Sequence, residues 1–173
     1  MEILNLHGFL GAADNRNYKA LKEKAPDLIV RSPEMPYMEK TPKEMLVWLT
    51  GKVKGDDMIF VGQSLGCWYA DRLSRMFARP CILTNPCYFP AELELINTSG
   101  MPEEYIRQYR ELSPTEKNPL AYTICGDEDT LIPGNMPNCE RLSAVAVSAH
   151  GGHSSIEPLS EYIEKALAVV REW

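Results

Sequence analysis

The sequence predicts an α/β fold of about six mainly parallel strands with helices on both faces, and three observations lead there. Its 173 residues are about one domain's length, enough to bury a core without disulfide or metal staples. Short apolar runs bounded by Gly, Pro, Asp or Asn alternate with amphipathic stretches, which is the pattern of βαβ units. The composition, 45% hydrophobic and 24% charged, excludes a disordered tail, a collagen and a coiled-coil rod.

Ile3–Leu6 opens the series as a strand, because the chain before His7 has neither the basic start nor the long apolar run of a signal peptide. Leu28–Val30 is the second strand. Thr41-Pro42-Lys43-Glu44 then reads as a capping box with Pro at the first helical position, and Met45, Leu46, Trp48, Leu49 and Val53 continue an apolar stripe. Met58–Val61 is the third strand, followed by a helix over Leu65–Phe77 with a stripe through Leu65, Trp68, Tyr69, Leu73, Met76 and Phe77. After a strand at Cys81–Leu83, the segment 86–119 is longer than one crossover needs and carries two short helices, Glu92–Ile96 and Glu103–Leu112. Ala121–Cys125 and Ala144–Ser148 are the last strands, and the chain between them is too short and too rich in Pro and Gly for a full crossover helix. Ser154-Ser155-Ile156-Glu157 reads as a second capping box, opening a helix through Leu159, Ile163, Ala166, Leu167 and Val170. No repeat or linker divides the chain, so residues 1–173 are expected to form a single domain, with 86–119 a short helical insertion near the functional edge.

Eighteen basic against 24 acidic residues give a net charge of −6, and no cluster of Lys and Arg is dense enough to follow a phosphate backbone, so nucleic acid is not an expected partner. No apolar stretch is long enough to span a membrane, and a cytoplasmic location is the simplest expectation. Five cysteines without a CxxC pair or a His at ligand spacing argue for buried thiols rather than disulfides or a metal site. Cys67 belongs with these as a packed helix residue.

Four segments can carry chemistry. Gly62-Gln63-Ser64-Leu65-Gly66 falls between a strand and a helix, where a sharp turn exposes a serine hydroxyl and side chains at 62 and 66 would collide. The alternative is that Ser64 is an ordinary helix N-cap. Asn5-Leu6-His7-Gly8-Phe9-Leu10 ends the first strand, and a turn through Gly8 can aim the Phe9 amide at an oxyanion, with the Leu65 amide as the second donor. His7 is read as ordering this turn rather than as a base. Gly126-Asp127-Glu128-Asp129 follows the fifth strand and offers a carboxylate, and His150-Gly151-Gly152-His153 follows the sixth and offers an imidazole. Serine, carboxylate and imidazole thus occur in that order, each at a strand's C-terminal end, the edge on which sites of parallel sheets assemble.

On these residues, with Asn85-Pro86 and Gly151-Gly152-His153, the sequence resembles the α/β-hydrolases, and specifically the small bacterial YqiA-type esterases. The resemblance implies a compact α/β-hydrolase fold with a small or absent lid. It also implies hydrolysis of a small-molecule ester or thioester through an acyl-enzyme, without metal or cofactor. It puts the nucleophile on Ser64, the base on His153 and the acid on Asp129, three residues past the strand-ending Gly126 and shortly before Ile132-Pro133. YqiA-type relatives keep Gly-Asp-Glu but often carry an acid further along, where this chain has Leu131 and Ile132, so Asp127 stands as the alternative acid to Asp129. Two other functions are compatible with the same residues: an acyltransferase on the same triad, and a non-catalytic binding protein on a hydrolase fold. The sequence leaves the oligomeric state open. The aromatic residues Tyr88, Phe89, Tyr105 and Tyr109 of the insertion are expected either to wall an acyl pocket or to pack the crossover.

Overall fold

Along each inner strand successive apolar side chains point to opposite sides, and the computed structural model, which describes residues 1–173, covers both sides with helices. The strands are β1 (Glu2–Leu6), β2 (Ile29–Arg31), β3 (Met58–Gln63), β4 (Cys81–Thr84), β5 (Asn118–Gly126) and β6 (Ser143–Ala149). They form one sheet in the order β2-β1-β3-β4-β5-β6, with every neighbouring pair parallel. Leu4, Leu6, Phe60 and Leu83 point to a core shared with α2 (Pro42–Thr50), α3 (Leu65–Phe77), α5 (Glu103–Glu111) and α6 (Met136–Leu142). Ile3, Ile59, Val61, Ile82 and Ile124 point to the other, shared with α1 (Arg16–Lys24) and α7 (Leu159–Val170).

The capping box at Thr41 forms as expected, with Thr41 Oγ1 accepting from Glu44 N–H and Glu44 accepting from Thr41 N–H. A cap contributes about 1 kcal/mol. Burying Met45 and Leu49 beneath it contributes about 3–6 kcal/mol, so packing fixes this helix more than its cap does.

Three expectations change. The Ser154–Glu157 box does not form: α7 begins at Leu159, and Ser155 Oγ instead accepts from Gly152 N–H at 3.0 Å. Pro158 is the reason, since the residue before a proline is pushed out of helical geometry. Met76 is 56% exposed, because Phe77 takes the inward position against Phe60 at the end of α3. Helix α1 was not anticipated, since it is amphipathic but poor in apolar residues, with only Asn17, Ala20 and Leu21 of its nine residues buried; its one strong local signal is Asn15, whose side chain caps Tyr18 N–H. Between β4 and β5 the chain forms a 3₁₀ turn (Pro90–Glu92), the short α4 (Glu94–Asn97) and α5. No helix is long and apolar enough to cross a membrane.

Candidate active site

One residue separates β3 from α3, and that residue, Ser64, has φ 52° and ψ −120°. Such geometry costs a non-glycine residue on the order of 1–3 kcal/mol, so its surroundings must impose it. They do: Ser64 N–H donates to Thr84 O at 3.0 Å, and Ser64 O accepts from Cys67 N–H at 3.0 Å and Cys87 N–H at 3.1 Å. Its hydroxyl caps no helix amide, so the N-cap role is not the one it plays. A Cβ at Gly62 would lie 2.6 Å from the Cys67 backbone, a collision across the turn as expected. At Gly66 the obstacle is different: a Cβ would lie 2.1 Å from Leu6 O, because the first turn of α3 rests on the end of β1.

His153 Nε2 is 2.8 Å from Ser64 Oγ, and His153 Nδ1 is 2.8 Å from Asp129 Oδ2. With the ring proton on Nδ1, His153 donates to Asp129 and accepts from the serine hydroxyl. Asp129 Oδ1 accepts from the Leu131 and Ile132 amides, each at 2.9 Å. Burial pushes the Asp129 carboxyl up, but the His153 and amide hydrogen bonds outweigh it and hold it below the usual carboxylate range. Asp127 is exposed and turned elsewhere, accepting from Gly151 N–H at 3.0 Å and lying 3.5 Å from the exposed His150. Asp127, Glu128 and His150 form the one grouping of metal-type ligands; it is wholly exposed and separate from the Ser64 array.

His7 is buried at the end of β1. Its Nδ1 is 2.8 Å from Gly8 O, to which it donates, and its Nε2 accepts from Met35 N–H at 2.9 Å, so both ring nitrogens are engaged in holding the turn. Gly8 lies against the Ser64 side chain. The Phe9 and Leu65 amides make no hydrogen bond within the chain, and both residues border the cleft over Ser64. This cleft lies between the C-terminal ends of β1 and β3, where the strand order reverses and ligands bind in open α/β sheets.

Two residues at the site have tasks that the sequence did not reveal, Asn85 being known only as part of the Asn85-Pro86 match and Arg16 not singled out at all. Asn85, at φ 45°, accepts from Gly126 N–H at 2.6 Å and donates to Gly152 O at 3.1 Å and His153 O at 2.9 Å. It ties the loop bearing His153 to the end of β5. Arg16, the first residue of α1, donates to Ser154 O at 2.6 Å and Ile156 O at 2.9 Å, and pairs with Glu157. Asn15, as the cap preceding it, was the available signal.

The cleft over Ser64 has a volume of about 210 Å³, and its apolar wall is made by Phe9, Leu10, Leu93, Leu95, Ile96 and Leu131. The aromatic residues of the insertion do not border this cleft; Tyr88 and Phe89 border the neighbouring one. Tyr88 is buried against Thr123 and Ser143, and Tyr109 packs on Trp68 and Tyr69, because their rings fill the gap between crossover and sheet. Cys67 is buried, with its thiol donating to Thr84 O at 3.3 Å. All five cysteines are free and buried.

Residues 2–113 match the family described as "Uncharacterised protein family (UPF0227)". That stretch includes Ser64 and the β1 turn and ends before Asp129 and His153. Among solved structures, the chain is similar to the alpha/beta hydrolase domain-containing protein 10 of mouse, at 15% identity and a TM-score of 0.72, covering 99% of this chain and 90% of that one. It is similar to an esterase of Pyrococcus furiosus at 15% identity and a TM-score of 0.63, covering 98% and 83%. It is also similar to the type II thioesterase BorB of the borrelidin biosynthetic cluster, at 16% identity and a TM-score of 0.61, covering 99% and 91%. What these share with the chain is the α/β-hydrolase fold.

Proposed function

The chain belongs to the UPF0227 (YqiA-like) family, and from that membership and the array at its sheet edge we propose that it is a serine hydrolase of small carboxylic esters or thioesters. The observation that carries this reading is the unbroken chain from Ser64 Oγ through His153 to Asp129, with both links 2.8 Å long and the serine on a strained turn. Related folds named as an esterase and a thioesterase support the reaction class.

In the proposed reaction, Ser64 Oγ attacks the substrate's carbonyl carbon as its proton passes to His153 Nε2. Asp129 steadies the imidazolium through Nδ1–H. The carbonyl oxygen becomes an oxyanion held by the Phe9 and Leu65 amides, each worth roughly 3–4 kcal/mol of barrier. Collapse breaks the bond to the leaving alcohol or thiol, which takes the proton from Nε2. Water then adds to the acyl-enzyme by the same route and releases the acid. Labelling by a fluorophosphonate tests the reading, because it requires an activated serine. We expect one label per chain, lost in Ser64→Ala; a wild-type protein that takes no label overturns the proposal.

A further inference from the structure

Beside the cleft over Ser64 lies a second one of about 260 Å³, and the two share Leu93 and Leu131 as the ridge between them. The floor of the second cleft is one hydrogen bond from the serine, since Cys87, which borders it, donates its N–H to Ser64 O at 3.1 Å. Its wall is held by the same carboxylate that orients His153: Leu131 and Ile132 both donate their amides to Asp129 Oδ1. Tyr88, Phe89, Ile132 and Pro133 add apolar surface, while Asn135 and Asn138 give it a polar side. Glu92 is the one charged residue in its lining, and the nearby Arg141 is engaged with that lining, over the Phe89 ring and donating to Asn138 Oδ1 at 3.4 Å.

Resting on the hydrolase reading above, we propose that this second cleft receives the acyl chain of a medium-length ester or thioester, which crosses the Leu93–Leu131 ridge to reach it. The direction follows from the proton transfer. The leaving oxygen or sulfur must face His153 Nε2, and His153 and Ser154 border only the first cleft. The oxyanion is committed to the Phe9 and Leu65 amides. The remaining substituent on the carbonyl carbon is the acyl chain, and the space left to it across the Leu93–Leu131 ridge is the second cleft, with Phe89, Ile132 and Pro133 as its apolar side.

The test compares kcat/KM for p-nitrophenyl butanoate and octanoate. In the wild type it should rise by up to about fourfold for each methylene added beyond the ridge. Asn138→Trp, on the side of the cleft made by α6, should lower the octanoate-to-butanoate ratio by about tenfold or more, while the octyl-to-butyl ratio for acetate esters stays as it was. An octanoate ratio that ignores the tryptophan overturns the subsite, and a change confined to the alcohol series overturns its assignment to the acyl side. Independently of any variant, the crystal structure of wild-type protein labelled with p-nitrophenyl octylphosphonate should show the octyl chain in the second cleft. A labelled Ser64 with the chain in solvent overturns the subsite alone, whereas an unlabelled Ser64 overturns the hydrolase reading and the subsite with it.

Discussion

At Ser64 the chain holds a backbone conformation worth on the order of 1–3 kcal/mol of strain, while the hydroxyl caps nothing. With Ser64 as the proposed nucleophile and the turn held by backbone hydrogen bonds rather than by the hydroxyl, Ser64→Ala should abolish ester turnover with little change in thermal unfolding. His153→Ala should match it, and the double variant should be hardly slower than either, because residues acting as a unit lose rate non-additively. Turnover of a p-nitrophenyl ester with active-site titration measures this, and multiplicative losses would show two independent roles. For the acid, geometry separates the candidates: Asp129 is 2.8 Å from His153 Nδ1, and Asp127 is bonded to Gly151 instead. Asp129→Asn should therefore lower kcat by about 10⁴-fold, since an amide favours the wrong imidazole tautomer. Asp127→Asn and His150→Ala should keep most of the rate. The reverse pattern would move the acid to position 127.

Between elements, the position of His153 depends on two residues outside the array. Asn85 bridges the end of β5 to the carbonyls of Gly152 and His153, and Arg16 fastens the following turn to α1. Both act on the loop, not on substrate. A shift of about 1 Å in a reacting group costs roughly 10²-fold. Asn85→Ala should accordingly lower kcat by about 10–100-fold with KM little changed, as steady-state kinetics would report. A rise in KM at constant kcat would instead assign Asn85 to ground-state binding. The sequence motif Asn85-Pro86 drew attention to this position but not to its task, because a side chain that bridges β4, β5 and the loop after β6 has partners 41 to 68 residues away. Arg16 was missed for the same reason, compounded by the low apolar content of α1: its contacts with Ser154 and Ile156 span 138 and 140 residues.

For the whole molecule, the array also couples to stability. The Asp129 carboxyl is held below the usual range in the folded chain, by hydrogen bonds from His153, Ile132 and Leu131 that outweigh the opposing effect of burial. Its stabilising contribution is therefore complete above the unfolded carboxyl's pKa of about 4 and is lost as pH falls through the lower folded value. Thermal unfolding from pH 7 to pH 3 should show the gap between wild type and Asp129→Asn closing below about pH 4; a gap independent of pH would mean that the carboxylate's charge is not what stabilises. The sequence by itself determined the six strands, the serine turn and the order of serine, carboxylate and imidazole along the chain, because apolar periodicity, Gly62–Gly66 and Gly126–Asp129 are local signals. Of the stripe it laid through Met45, Leu46, Trp48, Leu49 and Val53, Met45 and Leu49 are buried and the other three half-buried against the core. Only the tertiary structure decided that Asp129 rather than Asp127 meets His153, that Leu93 and Leu131 rather than the insertion's tyrosines wall the cleft, and that Arg16 and Asn85 hold the loop. Each of those depends on which side chains from distant strands arrive at one edge of the sheet, and in a parallel sheet that is set by register and crossover packing, which no single segment encodes.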